Sequence, residues 1–595
     1  MSMQSARIES YSHRHLGAIF FSRVEELGDK TFVKLQRGER FEEISWRDFG
    51  AKVRSAIFGL CALGLAKGDR VAILGENSLE WLCADMATLA GGFPNVVVSP
   101  RLSDTSVLKT LGHSRCRAVF AENETAVGRL LNLKGQLPSL EYIIALNGSG
   151  AGLPHTLTFG ELLARSGKHG ADRLARVLES IHPRDLASIM YTSGSTGEPK
   201  GVMRTQENLL SNISSGGEIV LSKPEEMSVI VLSLNHLLGR FGFLKSAVTG
   251  RTTAVIEATE QSVNLKVIGA LSPTAMTIVP RVMETIWNTI LDESGKRQLW
   301  DELEALDKSK AERGALSEDD SRRVDSLKSA LNQTVKQALG GRIKYITYGG
   351  APMRPRIMHF FQLIGIPLLG TYGSTECGGA SLSGIGNSKP GSLGKPFPNV
   401  EVRIADDGEI LVRGPTVFPG YYENPEATRE ALDADGWYHS GDLGTMDADG
   451  CLYVVGRKKD IFYCSDGSNL YPGFVELMLE NDPFVRQAIL LGDRRPFMAA
   501  LIVPDGKKIA SELKKEASAL TEKEIEAIVQ SRVEQINLRL EAVEKIRKIV
   551  LMLQDFPTEV RSVTAFQKIK IDRKAVEARY QKEISDIYSS IEGAP

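Results

Sequence analysis

Residues 190–202 read MYTSGSTGEPKGV, in which an apolar strand pattern runs into a loop of hydroxyl residues and glycines that reaches Lys200. Glycines let backbone N–H groups turn inward, hydroxyls add donors, and the lysine supplies positive charge, so the loop suits a polyphosphate. It differs from the G-x-x-x-x-G-K-[ST] loop of P-loop nucleotide hydrolases, because Gly194, Gly197 and Lys200 are spaced differently. The candidate phosphate-binding residues are Thr192, Ser193, Gly194, Ser195, Thr196 and Lys200.

Helix-like and strand-like patterns alternate around this loop, from about residue 46 to 250. WRDFGAKVRSAIFGLCALG (46–64) has helical periodicity and ends at a glycine. DRVAILGEN (69–77) predicts a short buried strand, and SLEWLCADMATLAGG (78–92) predicts another helix. Repeated pairs of this kind indicate a layered α/β sheet.

The chain changes character twice after residue 250. Residues 291–338 are rich in charged residues and leucine, which predicts exposed helices inserted at the surface. Short β runs separated by Asp-Gly turns fill residues 395–455. An α+β stretch follows, with an amphipathic helix predicted over about 507–547. A domain boundary near residue 459 is therefore plausible.

The composition limits the classes of binding partner and the cellular compartment that we expect for this protein. The 595 residues include 72 Lys and Arg against 74 Asp and Glu, so no global charge favours nucleic acid or an anionic membrane. Six cysteines form no C-x-x-C pair, which favours free, mostly buried thiols over a disulfide frame or a metal site. We expect no signal peptide and no transmembrane helix, hence a cytoplasmic protein with at most peripheral membrane contact.

Four further motifs follow the loop in order: GGAP (349–352), TYGSTE (371–376), GWYHSGDLG (436–444) and GRKKD (456–460). With them the chain resembles the adenylate-forming superfamily of acyl-CoA synthetases, peptide-synthetase adenylation domains and firefly luciferases, from about residue 27 onward. The resemblance implies an α/β fold with a large N-terminal adenylation domain, residues 1–458, made of layered α/β sheets plus a small β-barrel-like subdomain. A small, mobile α+β domain with a helical extension, residues 459–595, would follow.

The motifs also imply site residues. Tyr372 would stack on adenine while the glycine backbone of GGAP approaches the other side of the base. Thr375 would donate to the α-phosphate, and Glu376 would ligate Mg²⁺ together with Thr192. Asp442 would hold the ribose hydroxyls, with Arg457 reaching ribose or phosphate oxygens. The resemblance also places Gly350, Ala351 and Gly373 among the residues that bind ATP.

The C-terminal lysine that would act on the phosphate has two candidates. The family pattern T-x-x-[GLQ]-K-[IV] maps onto Thr564–Ile569 and selects Lys568. Lys570 remains the alternative, because Ile571 stands where the family usually has an arginine. Asp466 stands where the family commonly has a glycine. This departure leaves open how the enzyme positions the thiol that accepts the acyl group. Lys459 is the implied hinge.

Three segments are similar to the long-chain acyl-CoA synthetase branch. VLSLNHLLGR (231–240) places His236 where that branch has a histidine, which makes it a candidate catalytic residue; a hydrogen-bonded core histidine is the alternative. SPTAMTIVPRVMETIW (272–287) and GDRRPFMAALIVPD (492–505) match two other segments of the branch. The helical insertion agrees with it as well.

The resemblance implies activation of a medium- to long-chain fatty acid as acyl-AMP, followed by transfer to a thiol. ATP, Mg²⁺ and coenzyme A are the implied cofactors, with Lys568, Glu376, His236 and Thr192 as catalytic candidates. A carrier protein with phosphopantetheine is the alternative acceptor, and an inactive homologue is a third possibility that the intact motifs disfavour. No Asp or Lys lies within TYGSTECGGASLSG (371–384) to pair with an amino group, which disfavours an amino acid substrate.

The acyl group would occupy a tunnel lined by 231–243, 272–282 and 345–382. The apolar residues proposed for this lining are Leu238, Phe241, Phe243, Met276 and Ile278. Ordinary core packing is the alternative for these side chains.

Overall fold

The computed structural model describes residues 15–38, 40–148, 155–167, 171–193, 199–219, 224–256, 264–386, 388–463, 469–542, 544–556, 558–560, 569–571 and 573–589. Two large sheets, each covered by helices, make up most of the chain. A four-stranded sheet and a smaller α+β unit follow them in sequence.

The phosphate-loop strand lies in a seven-stranded sheet that is parallel except for the last pair of strands in its spatial order. In spatial order its strands are β7 (Thr156–Thr158), β6 (Tyr142–Ala145), β5 (Ala118–Ala121), β3 (Val71–Leu74), β4 (Asn95–Val98), β8 (Leu186–Ser193) and β9 (Pro199–Thr205). The neighbouring helices are α2 (Trp46–Ala62), α3 (Leu79–Gly91), α4 (Asp104–Ser114), α5 (Glu124–Leu133), α6 (Phe159–Ala164) and α7 (Ala171–Glu179), with a 3₁₀ turn at Lys134–Gln136. The predicted helices near 46–64 and 78–92 and the strand within 69–77 are confirmed.

The second large sheet has nine strands and a parallel centre with antiparallel edges. In spatial order its strands are β16 (Lys395–Pro396), β15 (Gly378–Leu382), β14 (Leu368–Ser374), β13 (Tyr345–Gly349), β12 (Ala275–Ile278), β10 (Met227–Ile230), β11 (Thr252–Val255), β1 (Thr31–Arg37) and β2 (Arg40–Ser45). Its helices are α1 (Leu16–Leu27), α8 (Gln206–Ile219), α9 (Leu237–Thr249), α10 (Leu265–Leu271), α11 (Pro280–Glu293), α12 (Arg297–Arg313), α13 (Glu318–Ala338) and α14 (Pro355–Leu363).

The two sheets and their helices stack in five layers. A central core joins strand residues of both sheets, such as Ile73 and Val255, to buried residues of α1, α2, α3, α8 and α9 between them. Separate cores cover the outer face of each sheet, with α4 and α5 on one side and α10 to α14 on the other. The predicted layered α/β fold class is confirmed.

The helical insertion is less exposed than the sequence predicts. Helices α12 and α13 fall within 291–338 as expected, yet each buries one apolar face in the outer core of the nine-stranded sheet. Trp300 and Leu331 are completely buried. Charged residues fill the faces of α12 and α13 that point away from the core. Their number makes the amphipathic pattern hard to recognise in the sequence.

A four-stranded antiparallel sheet forms the β-rich region predicted over 395–455. Its strands are β17 (Glu401–Ile404), β18 (Glu409–Arg413), β19 (Tyr438–Met446) and β20 (Leu452–Arg457), with α15 (Pro425–Ala431) between β18 and β19. Gly408 and Gly450 adopt positive φ angles of 83° and 78° in the Asp-Gly turns that the sequence predicts.

After residue 459 the chain forms a smaller α+β unit. Its strands are β21 (Phe462–Tyr463), β22 (Asn469–Leu470), β23 (Val485–Leu491), β24 (Met498–Pro504), β25 (Ile546–Leu551), β26 (Thr558–Val560) and β27 (Ile569–Ile571). Its helices are α16 (Pro472–Glu480), α17 (Gly506–Glu512), α18 (Glu522–Asn537), α19 (Arg573–Arg579) and α20 (Gln581–Ser589), with 3₁₀ turns at Lys458–Asp460 and Ala517–Ala519. The single helix predicted over 507–547 is wrong. Lys514, with φ of 53°, turns the chain after α17, and residue 546 already begins a strand.

Candidate active site

Strands β8 and β9 form a hairpin around the phosphate loop. Thr192 lies directly opposite Lys200 in this hairpin, and Tyr191 lies opposite Gly201. Directly opposed residues of an antiparallel pair present their side chains on the same face, so the threonine hydroxyl and the lysine lie together. The predicted loop residues Gly194, Ser195 and Thr196 lie outside the described residues, and Ser193 is described by its backbone alone.

Lys200 is held over an aromatic ring. Its Nζ lies 5.2 Å from the centroid of Tyr421, a cation–π contact, and it has no ion-pair partner in the part of the chain that the structure describes. The Tyr421 hydroxyl donates to Glu376 Oε1 at 3.2 Å. Burial, reinforced by the neighbouring glutamate, raises the pKa of Tyr421, which keeps the phenol neutral. One tyrosine therefore stands between the lysine and the glutamate.

Glu376 lies in the turn between β14 and β15, and two hydrogen bonds hold its backbone carbonyl. Arg204 Nη1 donates to the Glu376 carbonyl at 3.1 Å, and the Phe418 N–H donates to the same oxygen at 2.8 Å. Arg204 is completely buried on β9, and this burial lowers its pKa to about 10. The arginine thus connects the phosphate hairpin to the turn that carries the glutamate.

Asp442 and Arg457 are directly opposite each other on β19 and β20. Arg457 Nε lies 2.6 Å from Asp442 Oδ1, and the Tyr372 hydroxyl donates to Asp442 Oδ2 at 2.9 Å. Burial lowers the pKa of Arg457, but Asp442 and the weaker contributions of its other acidic and phenolic neighbours together outweigh burial and raise the pKa. Three residues predicted from separate motifs therefore form one hydrogen-bonded group.

A cavity of about 610 Å³ lies where these elements meet. Five predicted residues line it: Thr192, Lys200, Glu376, Arg457 and Lys459. Gly350, Ala351, Tyr372, Gly373, Thr375 and Asp442 are outside this lining. The cavity therefore combines a lysine, an arginine and a carboxylate in a space large enough for a nucleotide.

The GGAP segment begins at the end of β13, beside β14. Gly349 pairs with Thr371, and a Cβ on Gly349 would come within 2.6 Å of the threonine methyl carbon. Gly350, with φ of 82°, faces open space instead, since a Cβ there would meet no heavy atom within 4 Å. The backbone at Gly350 is therefore accessible from outside, as close approach by a flat base requires.

His236 caps the N-terminus of α9. Its Nδ1 accepts a hydrogen bond from the Leu238 N–H at 3.4 Å, and the histidine does not line the 610 Å³ cavity. Four residues later, the fully buried Arg240 binds both oxygens of Asp85 and donates to Ser188 of β8 at 2.8 Å. Burial raises the pKa of Asp85, and Arg240 opposes that rise. The motif that contains His236 is thus tied to the strand that leads into the phosphate loop.

The C-terminal lysines remain predictions. Lys568 lies outside the described residues. Lys570 lies in β27, opposite Glu559 of β26, and is described by its backbone alone. Lys459 lies in the 3₁₀ turn after β20 and lines the cavity.

Sequence reasoning missed part of the cavity wall. Glu409, Tyr421, Tyr438 and His439 line the cavity beside the predicted residues. Tyr438 and His439 lie inside the GWYHSGDLG motif, so the motif could have identified them as cavity residues. Arg204 follows the phosphate loop by only four residues, and a charged residue in an otherwise apolar strand pattern could have identified it.

Comparison with known proteins places this site in a family. The AMP-binding enzyme family matches residues 20–422, more than half of the chain, and the AMP-binding enzyme C-terminal domain matches residues 459–592. The chain belongs to the AMP-binding enzyme family. The predicted resemblance to adenylate-forming enzymes is thereby confirmed.

Several relatives of this AMP-binding enzyme are known by sequence. The long-chain-fatty-acid–CoA ligase FadD15 of Mycobacterium bovis is 32% identical over 601 residues and covers 97% of each chain. The long-chain-fatty-acid–CoA ligase ACSBG1 of Homo sapiens is 28% identical, over 96% of this chain and 84% of its own. These full-length matches agree with the long-chain branch that the motifs predict.

Solved structures support the fold of this AMP-binding enzyme. The anthranilate CoA ligase AuaEII, solved with anthranoyl-AMP, has a TM-score of 0.74 at 19% identity and covers 97% of this chain and 98% of its own. A Mycobacterium tuberculosis fatty acyl CoA synthetase has a TM-score of 0.63 at 22% identity, over 96% and 99% of the two chains. Within the described ranges, none of the helices combines the length and apolar character needed to span a membrane.

Proposed function

We propose that this AMP-binding enzyme activates a medium- to long-chain fatty acid with ATP and then transfers the acyl group to coenzyme A. The first step forms acyl-AMP and releases pyrophosphate. The observation that carries the proposal is the full-length similarity to long-chain-fatty-acid–CoA ligases, joined to a cavity where Lys200, Glu376 and Arg457 meet. A carrier protein is the less favoured acceptor, since relatives matched along both chains are named CoA ligases.

The first step requires charge neutralisation at the phosphates. A fatty acid carboxylate and the α-phosphate of ATP are both anions, so their approach is unfavourable without nearby positive charge. Lys200 lies beside the phosphate loop without an acidic partner among the described residues. We assign it to the polyphosphate, together with the hydroxyls of the loop, where it lowers the repulsion and steadies the departing pyrophosphate.

Glu376 and Thr192 fit the predicted magnesium site. Glu376 Oε1 accepts from Tyr421, while Oε2 has no hydrogen-bond donor among the described residues. Thr192 brings a hydroxyl oxygen to the same cavity. Carboxylate and hydroxyl oxygens suit a hard cation, and Mg²⁺ held there would neutralise part of the polyphosphate charge. Tyr421 and Arg204 orient the glutamate for this role.

Asp442 is assigned to the ribose. Tyr372 and Arg457 hold the Asp442 carboxylate in place. A carboxylate offers about four acceptor positions, which makes it a suitable acceptor for ribose hydroxyls. Adenine would lie against the accessible backbone at Gly350. Tyr372 follows Thr371, the strand partner of Gly349, and would contact the base from there. Thr375 and Ala351 would complete this side of the nucleotide site.

The acyl group is assigned to the region between the start of α9 and strands β12 to β14. Leu238 lies here, with its Cδ2 3.9 Å from the position of a Cβ on Gly349. Met276 and Ile278 are buried in the adjacent core. Phe243 is not part of this lining, because its ring packs 5.8 Å from Phe32 in the central core.

The two half-reactions are assigned to two orientations of the C-terminal domain. We place the boundary between residues 458 and 459, and the hinge at Lys459, which lies in the short turn between β20 and β21. In one orientation Lys568 would act on the developing phosphate charge. Rotation would remove it and open a path for the thiol of coenzyme A.

Pyrophosphate release across a series of acids from acetate to stearate tests the substrate. Each buried methylene adds about 0.8 kcal/mol, so apparent affinity should rise roughly fourfold per methylene and then level off. Parallel reactions with coenzyme A and with a holo carrier protein identify the acceptor. A preference for acetate, an aryl acid or an amino acid would contradict the fatty acid assignment, and transfer to the carrier protein alone would contradict coenzyme A.

A further inference from the structure

Helix α14 begins directly after the GGAP segment and lacks an N-terminal cap of its own. Arg354 stands at the N-cap position and makes no side-chain cap hydrogen bond, and Pro355 follows at the first helical position. The backbone N–H of Arg356 is next, and an N–H at this position has no partner within its own helix. A cap side chain normally accepts a hydrogen bond from it.

Asn481, far away in sequence, supplies the missing acceptor. Its Oδ1 accepts from the Arg356 N–H at 3.1 Å across 125 residues. Asn481 is itself the C-cap of α16, the first α-helix after the proposed hinge. The C-terminus of α16 therefore meets the N-terminus of α14. This arrangement brings opposite ends of two helix dipoles together, which is electrostatically favourable.

Several interactions hold the large-domain side of this contact. The Arg356 guanidinium lies 2.6 Å from Glu304 and 3.0 Å from Asp301, both on α12. It also lies 5.8 Å from the ring centroid of Trp287 and 5.7 Å from that of Trp300. The charged helical insertion thus fixes the start of α14 in place. A partner that caps α14 consequently meets a preformed surface, and little ordering is needed on docking.

Further charges surround the contact. Arg354 lies 3.1 Å from Glu284 of α11. Arg354 and Glu284 act electrostatically on Glu480, the last residue of α16. Arg356 likewise acts on Asp482 and Lys508 of the C-terminal unit. Arg354 attracts Glu480 and Arg356 attracts Asp482, whereas Glu284 repels Glu480 and Arg356 repels Lys508. Attractive and repulsive charge pairs therefore surround one central hydrogen bond.

We propose that Asn481 is an interdomain helix cap that holds the C-terminal domain in the orientation of this structure and is released when that domain rotates. Arg356 and the α12 carboxylates form its receptor. Asn481 and Arg356 are then positioning residues, which act on the reaction through the orientation of the domain. The expected effect on the two half-reactions rests on the proposed function, whereas the capping contact itself does not.

The Asn481→Ala variant removes the acceptor, and Asn481→Asp keeps it, because aspartate caps helices as well as asparagine does. Thr521→Ala is the matched control, since it removes the side-chain cap of α18 within the same domain, away from this contact. We expect Asn481→Ala to change the ratio of the acyl-AMP rate to the thioester rate by about fivefold, the population shift that corresponds to loss of one cap. Asn481→Asp and Thr521→Ala should leave the ratio within twofold of the wild type.

The distance distribution between spin labels on unnatural amino acids at positions 52 and 523 gives a readout independent of activity. Both positions are exposed, one on α2 and one on α18. We expect Asn481→Ala to broaden this distribution or shift it, and Asn481→Asp to restore it. An unchanged distribution, or a rate ratio equal to that of Thr521→Ala, would overturn the interdomain cap. Absence of acyl-AMP formation by the wild type would contradict the proposed function alone, because the distance measurement would still test the cap.

Discussion

The two sides of the nucleotide cavity hold their positive charges differently. On the β8–β9 side, Lys200 stands over Tyr421 without a carboxylate partner among the described residues. On the β18–β20 side, Arg457 pairs with Asp442, and Lys458 lies 2.6 Å from Asp407 and 3.0 Å from Glu409. An unpaired cation keeps its full attraction for a ligand anion, whereas a paired one is already largely neutralised. The contrast supports our assignment of the phosphates to the first side and of the sugar to the second.

The largest effect is expected outside both sides, at the lysine of the C-terminal domain. Lys568→Ala should slow acyl-AMP formation by on the order of 10²–10³, because one donor to developing charge is lost in a site that excludes water. Thioester formation from preformed acyl-AMP should stay largely intact. Measuring the two half-reactions separately checks this. Lys570→Ala is the matched control, and the alignment is wrong by two residues if Lys570→Ala shows the defect and Lys568→Ala does not.

The contrast between the two sides predicts a second, smaller effect. Lys200→Met should weaken ATP binding by about ten- to a hundredfold, because hydrogen bonds to charged groups contribute about 1.5–3 kcal/mol. Lys458→Met removes the same charge from a paired position and should weaken it by less than about threefold. Calorimetric titration with a non-hydrolysable ATP analogue measures both. Equal losses of ATP affinity in the two variants would contradict the proposed difference between the two sides of the cavity.

The tyrosine between Lys200 and Glu376 provides a third test. Tyr421→Phe removes the hydroxyl that donates to Glu376 while keeping the ring under the lysine. Loss of a partner that orients a metal ligand typically costs about tenfold in affinity, so the Mg²⁺ concentration for half-maximal activity should rise by about that factor. Tyr422→Phe, at the adjacent position, should leave the magnesium dependence unchanged. If Tyr421→Phe needs the same Mg²⁺ concentration for half-maximal activity as the wild type, this tyrosine does not orient a magnesium ligand.

The smallest effect concerns pH and the interdomain contact. Burial raises the pKa of Glu480 to about 7, with Ala488 N–H and Arg354 opposing the rise and Glu476 and Glu284 adding to it. Arg573, hydrogen-bonded to Glu476, also lies on this side of α16. The folded state binds the Glu480 proton more tightly than the unfolded state does. The stability that this proton contributes is therefore complete below pH 4.5 and is lost as the pH rises toward 7.

Glu480→Gln keeps the neutral form at every pH. Relative to that variant, the wild type should therefore lose stability between pH 5 and 8 by on the order of 1 kcal/mol, or about 2 °C in Tm. Thermal melts of both proteins across this range measure the difference. A Tm difference that does not change with pH would contradict the raised pKa.

The sequence was most informative where a motif coincides with a paired strand. Thr192, Lys200 and Asp442 lie on or beside paired strands, so the strand pattern and the motif together place them. The sequence was least informative about contacts across long separations. The cap between Arg356 and Asn481, and the pairing of Arg240 with Asp85, join residues whose local patterns carry no sign of each other. Helix ends after residue 505 were also missed, because Lys514 stops α17 without a glycine or proline.

We expect this enzyme to split ATP between its α- and β-phosphates in order to activate a fatty acid. The most direct test incubates the full chain with palmitate, Mg²⁺ and ATP labelled at the α-phosphate, without coenzyme A. We expect one labelled acyl-AMP for each pyrophosphate released, both dependent on the acid, and conversion to thioester and AMP when coenzyme A is added. Formation of ADP and orthophosphate, or pyrophosphate release that is independent of the acid, would contradict this expectation.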